Sequence, residues 1–327
     1  MRYVVYGAGA IGSGLGGHLF RTGQDTVLVG RPGHVDKIRE RGLELITGEG
    51  TYRLDVPAVA SAEEVGFREG DVVLLCVKSQ DTERALGEIR AAGGDPQTLP
   101  ILCCQNSITN EPAAARFFRR VYGVLIVIPG VYLEDGVVHN PIRGNAGFLE
   151  IGCLPRGQDD LAAEAAGALS RASYAAYANP DVMPAKAAKM LGNLGNAMGA
   201  ITDGKGDSRP YMAQVRREAL ACFEAAGVPC EDRERFEARA RQNRGETALP
   251  PGVRNLGSSW QSLRRGQGTI EADYLNGEIV RLGRLHGVAT PYNEVLQEVA
   301  SAMAGKGEQP GKYSAEDLTA LAESRAH

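Results

Sequence analysis

The sequence predicts an α/β protein: a doubly wound parallel sheet followed by a mostly α-helical C-terminal domain. Three observations predict it. The chain opens with an apolar strand pattern, Arg2–Tyr6, that runs straight into a glycine-rich turn and a helical pattern. Apolar runs and helical stretches then alternate along the first half, the signature of an open parallel sheet. Beyond Asn179-Pro180, strand signals nearly vanish and apolar residues recur at helical spacing.

The elements follow in order. After the first strand a helix is expected from Ala10 to Arg21, carrying Gly12, Gly14, Gly16 and Gly17. Each interior glycine costs about 1 kcal/mol of helix propensity, which makes sense where backbone packs close to a strand or ligand. Thr26–Gly30 is the second strand, and Leu43–Thr47 with Thr51–Val56 reads as a hairpin around Gly48-Glu49-Gly50. Asp71-Val-Val-Leu-Leu-Cys-Val77, Leu99–Cys104 and Val121–Ile128 are continuous apolar runs, as in strands covered on both faces. Helices are expected at Thr82–Ala92 and Glu111–Arg119, and the β-rich segment 136–151 is expected to finish the sheet as a hairpin. The helical part should comprise Ala185–Ile201, Met212–Ala226, Arg233–Arg241, Thr269–His286 and Glu294–Ala304. Ser314-Ala-Glu-Asp317 resembles a capping box that opens a short terminal helix.

Bulk properties narrow the function. A chain of 327 residues suits two domains, and 43% hydrophobic residues can bury a substantial core. A net charge of -4 gives no basic bias towards nucleic acid. The arginines of 233–244 are interleaved with Glu234 and Glu237, as on a solvated helix. No apolar run is long enough to span a bilayer, and Met1 leads directly into a strand rather than a signal peptide, so a cytoplasmic protein is expected. The six cysteines form no C-x-x-C pair and read as free thiols. The five histidines show no ligand spacing, so no metal is expected.

Gly7-Ala8-Gly9-Ala10-Ile11-Gly12 is a G-x-G-x-x-G run placed between strand and helix, the context that makes it a dinucleotide fingerprint. The first glycine permits a tight turn, the second lets pyrophosphate approach the backbone, and the third lets helix and strand pack closely. The fold is therefore of Rossmann type. An acidic residue after the second strand would favour NAD, but Val29-Gly30-Arg31-Pro32 has none, and Arg31 offers a planar cation to a 2′-phosphate. NADP(H) is the expected cofactor. Lys78 and Asn106 fall at strand carboxyl ends, where open α/β sheets bind ligands. The expected domains are 1–179, which binds dinucleotide, and 180–327, which is helical and carries a short extension from about 305.

The second domain supplies a polar stripe in an otherwise apolar helix. Lys189, Asn193 and Asn196 stand at i, i+4 and i+7 and would share one face. Lys186 lies on that face too, so spacing does not choose between the lysines. Carbonyl reduction needs a hydride donor, a proton donor and groups that hold the substrate. An ammonium can donate the proton and stabilise developing charge, and asparagine amides can bind carbonyl and hydroxyl groups.

The chain resembles ketopantoate reductases over nearly its full length. The resemblance is carried by Gly7–Gly12, Cys76-Val-Lys78, Gln105-Asn106, Lys189 with Asn193, Ser258-Ser259, and the block Glu271-Ala-Asp-Tyr-Leu-Asn-Gly-Glu with its continuation to Gly287-Val-Ala-Thr-Pro-Tyr-Asn293. Such enzymes reduce 2-dehydropantoate to pantoate with NADPH on the way to pantothenate. The resemblance implies Lys189 as proton donor and Glu271 as its partner carboxylate. It implies substrate binding by Asn193 and one of Ser258 and Ser259, and the stripe adds Asn196 as a further substrate-binding candidate. Asn106 would lie between cofactor and substrate, and Lys78 and Arg31 would touch cofactor.

Departures cluster on the substrate side. Ser107 stands where the family has glycine, Ala187-Ala188 where it has tryptophan, and Asn196-Ala197 where an asparagine one residue later precedes proline. Trp260-Gln-Ser-Leu follows the serine pair in place of Met and an aspartate. The expected partner is a small-molecule 2-oxoacid. A homodimer is admitted but not specified. The alternatives are a reductase of the same fold for another 2-oxoacid or an imine, and a non-catalytic NADP-binding protein.

Overall fold

The computed structural model describes residues 1–247, 257–266 and 268–325. In chain order its elements begin β1 Arg2–Tyr6, α1 Ala10–Arg21, β2 Asp25–Val29, α2 Pro32–Arg41, β3 Leu43–Thr47, β4 Thr51–Leu54, β5 Ala58–Val59, β6 Asp71–Leu75, α3 Thr82–Ala91, β7 Ile101–Cys103 and α4 Asn110–Ala115. There follow β8 Val121–Val127, β9 Val131–Glu134, β10 Val137–Asn140, β11 Ile142–Arg143, β12 Phe148–Cys153, α5 Asp160–Arg171 and β13 Ala175–Ala178. The rest is α6 Val182–Asn193, α7 Gly195–Ile201, α8 Arg209–Ala225, α9 Arg233–Asn243, β14 Glu246–Thr247, α10 Ser258–Arg264, α11 Asn276–His286, α12 Pro291–Gly305 and α13 Ala315–Arg325.

Two compact units result. The first holds residues 1–186 with the described part of 233–254. The second holds 187–232 with the described part of 255–327. The expected division lay at 179/180, whereas this one falls inside α6 after Lys186. The expected second-domain helix at 233–241 also belongs to the first unit. There Arg239 Nε donates to Glu150 Oε1 at 2.7 Å, Tyr177 Oη donates to Asn243 Oδ1 at 2.9 Å, and Asn145 Nδ2 donates to the Asn243 carbonyl at 2.7 Å. Charge interleaving marked this segment as a solvated helix; it does not reveal which unit those polar ends grip.

The first unit is built on an eight-stranded sheet of order β13-β12-β8-β7-β6-β1-β2-β5. All neighbours pair parallel except β12 with β8. Strands buried on both faces alternate between two cores. Tyr3 and Val5 enter the cluster that contains Leu15 and Leu19 of α1, while Val4 and Tyr6 enter the one that contains Leu86 and Ile89 of α3. Successive connections from β1 leave to opposite sides, to β2 and later to β6, so the carboxyl ends of β1 and β6 flank the topological switch point.

The hairpin β3–β4 forms as expected. The segment 136–151 does not finish the main sheet as a hairpin. Instead β9 and β10 join the hairpin in a separate sheet of order β4-β3-β10-β9, through parallel pairing of Val137 with Glu44, and only β12 enters the main sheet. Period-2 patterning marks a strand but carries no information on which edge it will meet.

The second unit is helical. Ala185–Ile201 is broken at Leu194 into α6 and α7, so Asn196 lies on a different helix from Lys189 and Asn193. The Leu194 carbonyl accepts from Asn276 Nδ2 at 3.2 Å. Thr269–His286 is likewise two pieces, a 3-10 turn Glu271–Tyr274 and then α11. The capping box at Ser314 is formed: Asp317 N–H donates to Ser314 Oγ at 3.1 Å and Ser314 N–H to Asp317 Oδ2 at 2.9 Å. All six cysteines are free thiols. Among the described residues no helix is long and apolar enough to cross a membrane, and no group of three metal-binding side chains assembles.

Two buried histidines give the first unit a pH signature. Burial lowers His18 and His34 from 6.5 to about 4. Both are neutral when folded above that pH, whereas the unfolded chain protonates near 6.5, so unfolding takes up protons between the two values. Stability is therefore complete above the upper value and falls as the pH is lowered towards the lower one. The expected slope approaches about 1.4 kcal/mol per pH unit for each ring. Urea midpoints at pH 7 and pH 5 test this: the midpoint drops, and His18→Gln with His34→Gln flattens the drop. A slope untouched by the double replacement would assign the effect to other groups.

Candidate active site

The first unit contributes a nucleotide cradle at the switch point. Gly7 follows β1 with φ of +110°, and a Cβ on it would lie 2.5 Å from Val77 N. No side chain fits there, and the backbone conformation favours glycine as well. The amides of Gly7 and Ala8 both donate to the Val29 carbonyl, at 2.9 and 2.8 Å, which turns the chain across the end of β2. A Cβ on Gly12 would collide with the Gly7 carbonyl oxygen, so α1 is forced close to the turn. Gly9 differs, since a Cβ there meets nothing within 4 Å. The space in front of it is open, and α1 begins there with no side-chain cap and no acidic residue in its first turn. Unpaired amides with a favourable dipole suit a phosphate, so these residues fit the dinucleotide that the fingerprint implies.

Arg31 caps α2 and is exposed. Its guanidinium carbon lies 5.6 Å over the Tyr132 ring, and Nη2 reaches Tyr132 Oη at 3.4 Å. The Tyr132 hydroxyl donates to Asp135, whose other oxygen would be 2.9 Å from a Cβ on Gly33. A carboxylate therefore already faces the first turn of α2. A 2′-phosphate here would rely on Arg31 rather than on that helix terminus.

Lys78 and Asn106 stand at the ends of β6 and β7 as expected, both half-buried. A polar network that sequence reading missed ties their two loops together. Gln105 Nε2 donates to the Val77 carbonyl at 2.9 Å and to Thr82 Oγ1 at 2.8 Å, and Thr82 Oγ1 donates to Asn110 Oδ1 at 2.8 Å. Asn110 Nδ2 in turn donates to the Asn106 carbonyl at 2.7 Å and to Ser79 Oγ at 3.2 Å. Scattered single polar residues in loops carry no spacing signal; only the adjacency of β6 and β7 brings them together. Ser107 has φ of +72°, so the backbone keeps a conformation that favours glycine while carrying a serine. That costs about 1–2 kcal/mol.

Lys186 is 3% exposed, and its Nζ lies 2.9 Å from the Gln105 carbonyl, 3.2 Å from that of Val124, 3.3 Å from that of Cys103 and 2.5 Å from Glu111 Oε1. Burial pushes the Glu111 carboxyl up while the ammonium beside it pulls it back. Lys186 is thus committed to the strand ends of the first unit.

In the second unit Lys189 is half-buried on α6, Asn193 ends that helix, and Asn196 is near the start of α7. Ser258 and Ser259 open α10, which packs on α7. Asn196 Oδ1 lies 3.8 Å from where a Cβ on Gly257 would stand, so Asn196 faces the start of α10. Ser258 is half-buried and Ser259 is 3% exposed. Glu271 is buried at the head of its 3-10 turn.

Much of the block from Glu271 to Asn293 is structural. Asn276 and Asn293 are fully buried and bond each other at 3.1 Å. The Glu218 carboxylate accepts from the amides of Tyr292 and Asn293, each at 3.0 Å, and from Asn293 Nδ2 at 2.7 Å. A Cβ on Gly277 would meet Gln297, and one on Gly283 would lie 2.5 Å from the Val288 carbonyl. Asp273 accepts from Gln297 Nε2 at 2.9 Å and Ser301 Oγ at 3.1 Å.

A Rossmann-type cradle with a fingerprint glycine turn, followed by a helical unit with half-buried lysine and amide side chains, defines an oxidoreductase of the dinucleotide-binding class. Comparison with known proteins narrows it. Ketopantoate reductase PanE/ApbA matches residues 3–156, and its C-terminal counterpart matches residues 181–304. The chain belongs to the ketopantoate reductase family. It is 29% identical over 311 residues to the 2-dehydropantoate 2-reductase of Pyrococcus horikoshii, covering 94% of this chain and 99% of the relative. A PanE/ApbA family ketopantoate reductase from Ralstonia eutropha superposes with a TM-score of 0.76 at 27% identity, covering 94% of this chain and 99% of the other. A D-mandelate dehydrogenase solved with NADH and anilino(oxo)acetate shares the fold at a TM-score of 0.79 and 23% identity, with 94% and 99% covered.

The cradle predicts opposite outcomes for two glycines. Gly9→Ala leaves the melting temperature nearly unchanged but weakens dinucleotide binding by about 10-fold or more, because its methyl enters open space where phosphate would lie. Gly12→Ala lowers the melting temperature, because its methyl meets the Gly7 carbonyl. Calorimetry and dinucleotide titration read both. Undiminished binding by Gly9→Ala would remove the turn as the phosphate site.

Proposed function

We infer that this chain reduces 2-dehydropantoate to pantoate, with hydride from NADPH and a proton from Lys189. Likeness over nearly the whole chain to relatives named for that reaction supports the substrate. The observation that carries the proton assignment is the fate of the neighbouring lysine. Lys186 is buried among three carbonyls and Glu111, whereas Lys189 keeps partial exposure, which supports Lys189 as the acid.

NADPH, when bound, supplies the hydride for the 2-keto carbon. Gly7, Gly9 and Gly12 with the first amides of α1 would hold its pyrophosphate, Arg31 its 2′-phosphate, and Lys78 and Asn106 its remaining polar groups. The Lys189 ammonium donates a proton to the carbonyl oxygen as negative charge develops there, and regains one from water. Glu271 orients that ammonium. Asn193 and Asn196, with Ser258 or Ser259, hold the substrate carboxylate and hydroxyl. Ser258 is favoured over Ser259 because it keeps exposure. A second reading, reduction of a different 2-oxoacid, is favoured by the substrate-side departures, among them Ala197 and half-buried Trp260.

A panel of 2-oxoacids that includes 2-dehydropantoate, followed by loss of NADPH absorbance, decides between the readings; turnover of another oxoacid alone selects the second. Lys189→Ala should lower kcat by about 10²- to 10⁴-fold with NADPH affinity nearly unchanged. Near-normal turnover would remove Lys189 from the acid role. Arg31→Ala should weaken NADPH far more than NADH, and equal weakening of both would count against a phosphate contact.

A further inference from the structure

We propose that Lys186, with Glu111 as its counter-ion, is a positioning residue that holds the Asn106–Ser107 corner in place for the reaction. The inference rests on the reading of Asn106 as a site residue. Four oxygens converge on one ammonium: the carbonyls of Cys103, Gln105 and Val124 and the Glu111 carboxylate. They come from the end of β7, from β8 and from α4. The Gln105 carbonyl belongs to the peptide that leads into Asn106, and the Asn106 carbonyl is held by Asn110. Asn106 is therefore gripped through the peptides on both sides.

The corner needs gripping. Ser107 holds φ of +72° against its own preference, so the chain is driven to relax there. A relaxed corner rotates the peptides that aim the Asn106 side chain. Removing the cation would leave four like-signed oxygens, buried and facing one another, with the Glu111 carboxylate uncompensated. The strand end would lose its tie to β8 and α4 through the ammonium, and Asn106 the contact at the Gln105 peptide. Lys186 never touches the substrate in this account. It acts through Asn106, and the arrangement lies wholly in the first unit.

A double-mutant cycle on the full-length enzyme tests this, with steady-state turnover of 2-dehydropantoate and NADPH as the readout. Lys186→Met is expected to lower kcat by about 10- to 100-fold, the scale of a small misplacement. In the Asn106→Ala background the same replacement should change kcat little, because the group it positions is gone. Ser107→Gly should keep normal turnover alone and return part of the loss in Lys186→Met, because glycine removes the drive to relax. Merely structural damage would lower the melting temperature without being masked by Asn106→Ala. Effects of Lys186→Met and Asn106→Ala that multiply, or normal kcat in Lys186→Met, would overturn the positioning role. If Lys186→Met does not fold, Glu111→Gln enters the same cycle with a smaller loss and the same masking expected, and multiplication there overturns it equally. Full turnover by Asn106→Ala is a separate result: it would remove Asn106 from the site and the proposal with it.

Discussion

The end of β1 meets the end of β6 with no room for a single added carbon at residue 7, and that contact governs the nucleotide half of the molecule. Because the turn must pass over Val77, it takes a left-handed backbone and presses α1 against itself at Gly12. Because Gly9 has no side chain, the first amides of α1 are left without a side-chain cap at the switch point. The anion cradle follows from steric exclusion at two glycines and from open space at a third. A parallel sheet with both faces buried can hold such a contact rigidly, since its strands have no freedom to slide.

Buried polar groups do a second kind of work in each unit. In the first, Gln105, Thr82, Asn110 and Lys186 bind the loops that carry Lys78 and Asn106 into one hydrogen-bonded body. In the second, Asn276, Asn293 and Glu218 join α8, α11, α12 and the Leu194 carbonyl at the break between α6 and α7. Buried networks of this kind cost a great deal when one member is lost. They explain why the longest recognisable stretch of the chain, 271–293, is mostly about holding helices together. Glu271 is a buried carboxylate at the head of the short turn that opens that block.

The division of labour fits carbonyl reduction. In the proposed reading, amides and cations of the first unit serve an anionic cofactor, and an ammonium and neutral amides of the second serve a small polar substrate. The residues that depart from the family pattern belong mainly to the second task. Ser107 is the one departure whose consequence is visible in the backbone, because the chain there keeps the glycine-like conformation.

Some of this was legible in the residues alone. The fingerprint, the continuous apolar runs and the loss of strand signal after residue 179 made the order of sheet and helices readable, because each is a local property read over a few neighbouring residues. Tertiary structure decided the rest. It gave Lys186 to the strand ends, took α9 into the first unit, sent β9 and β10 to a second sheet and broke the helix at Leu194. Each of these turns on partners distant in sequence, such as Glu111 for Lys186, Glu150 for Arg239 and Asn276 for Leu194. Helical spacing makes Lys186 and Lys189 equivalent; the burial of Lys186 among four oxygens is a property of the tertiary structure.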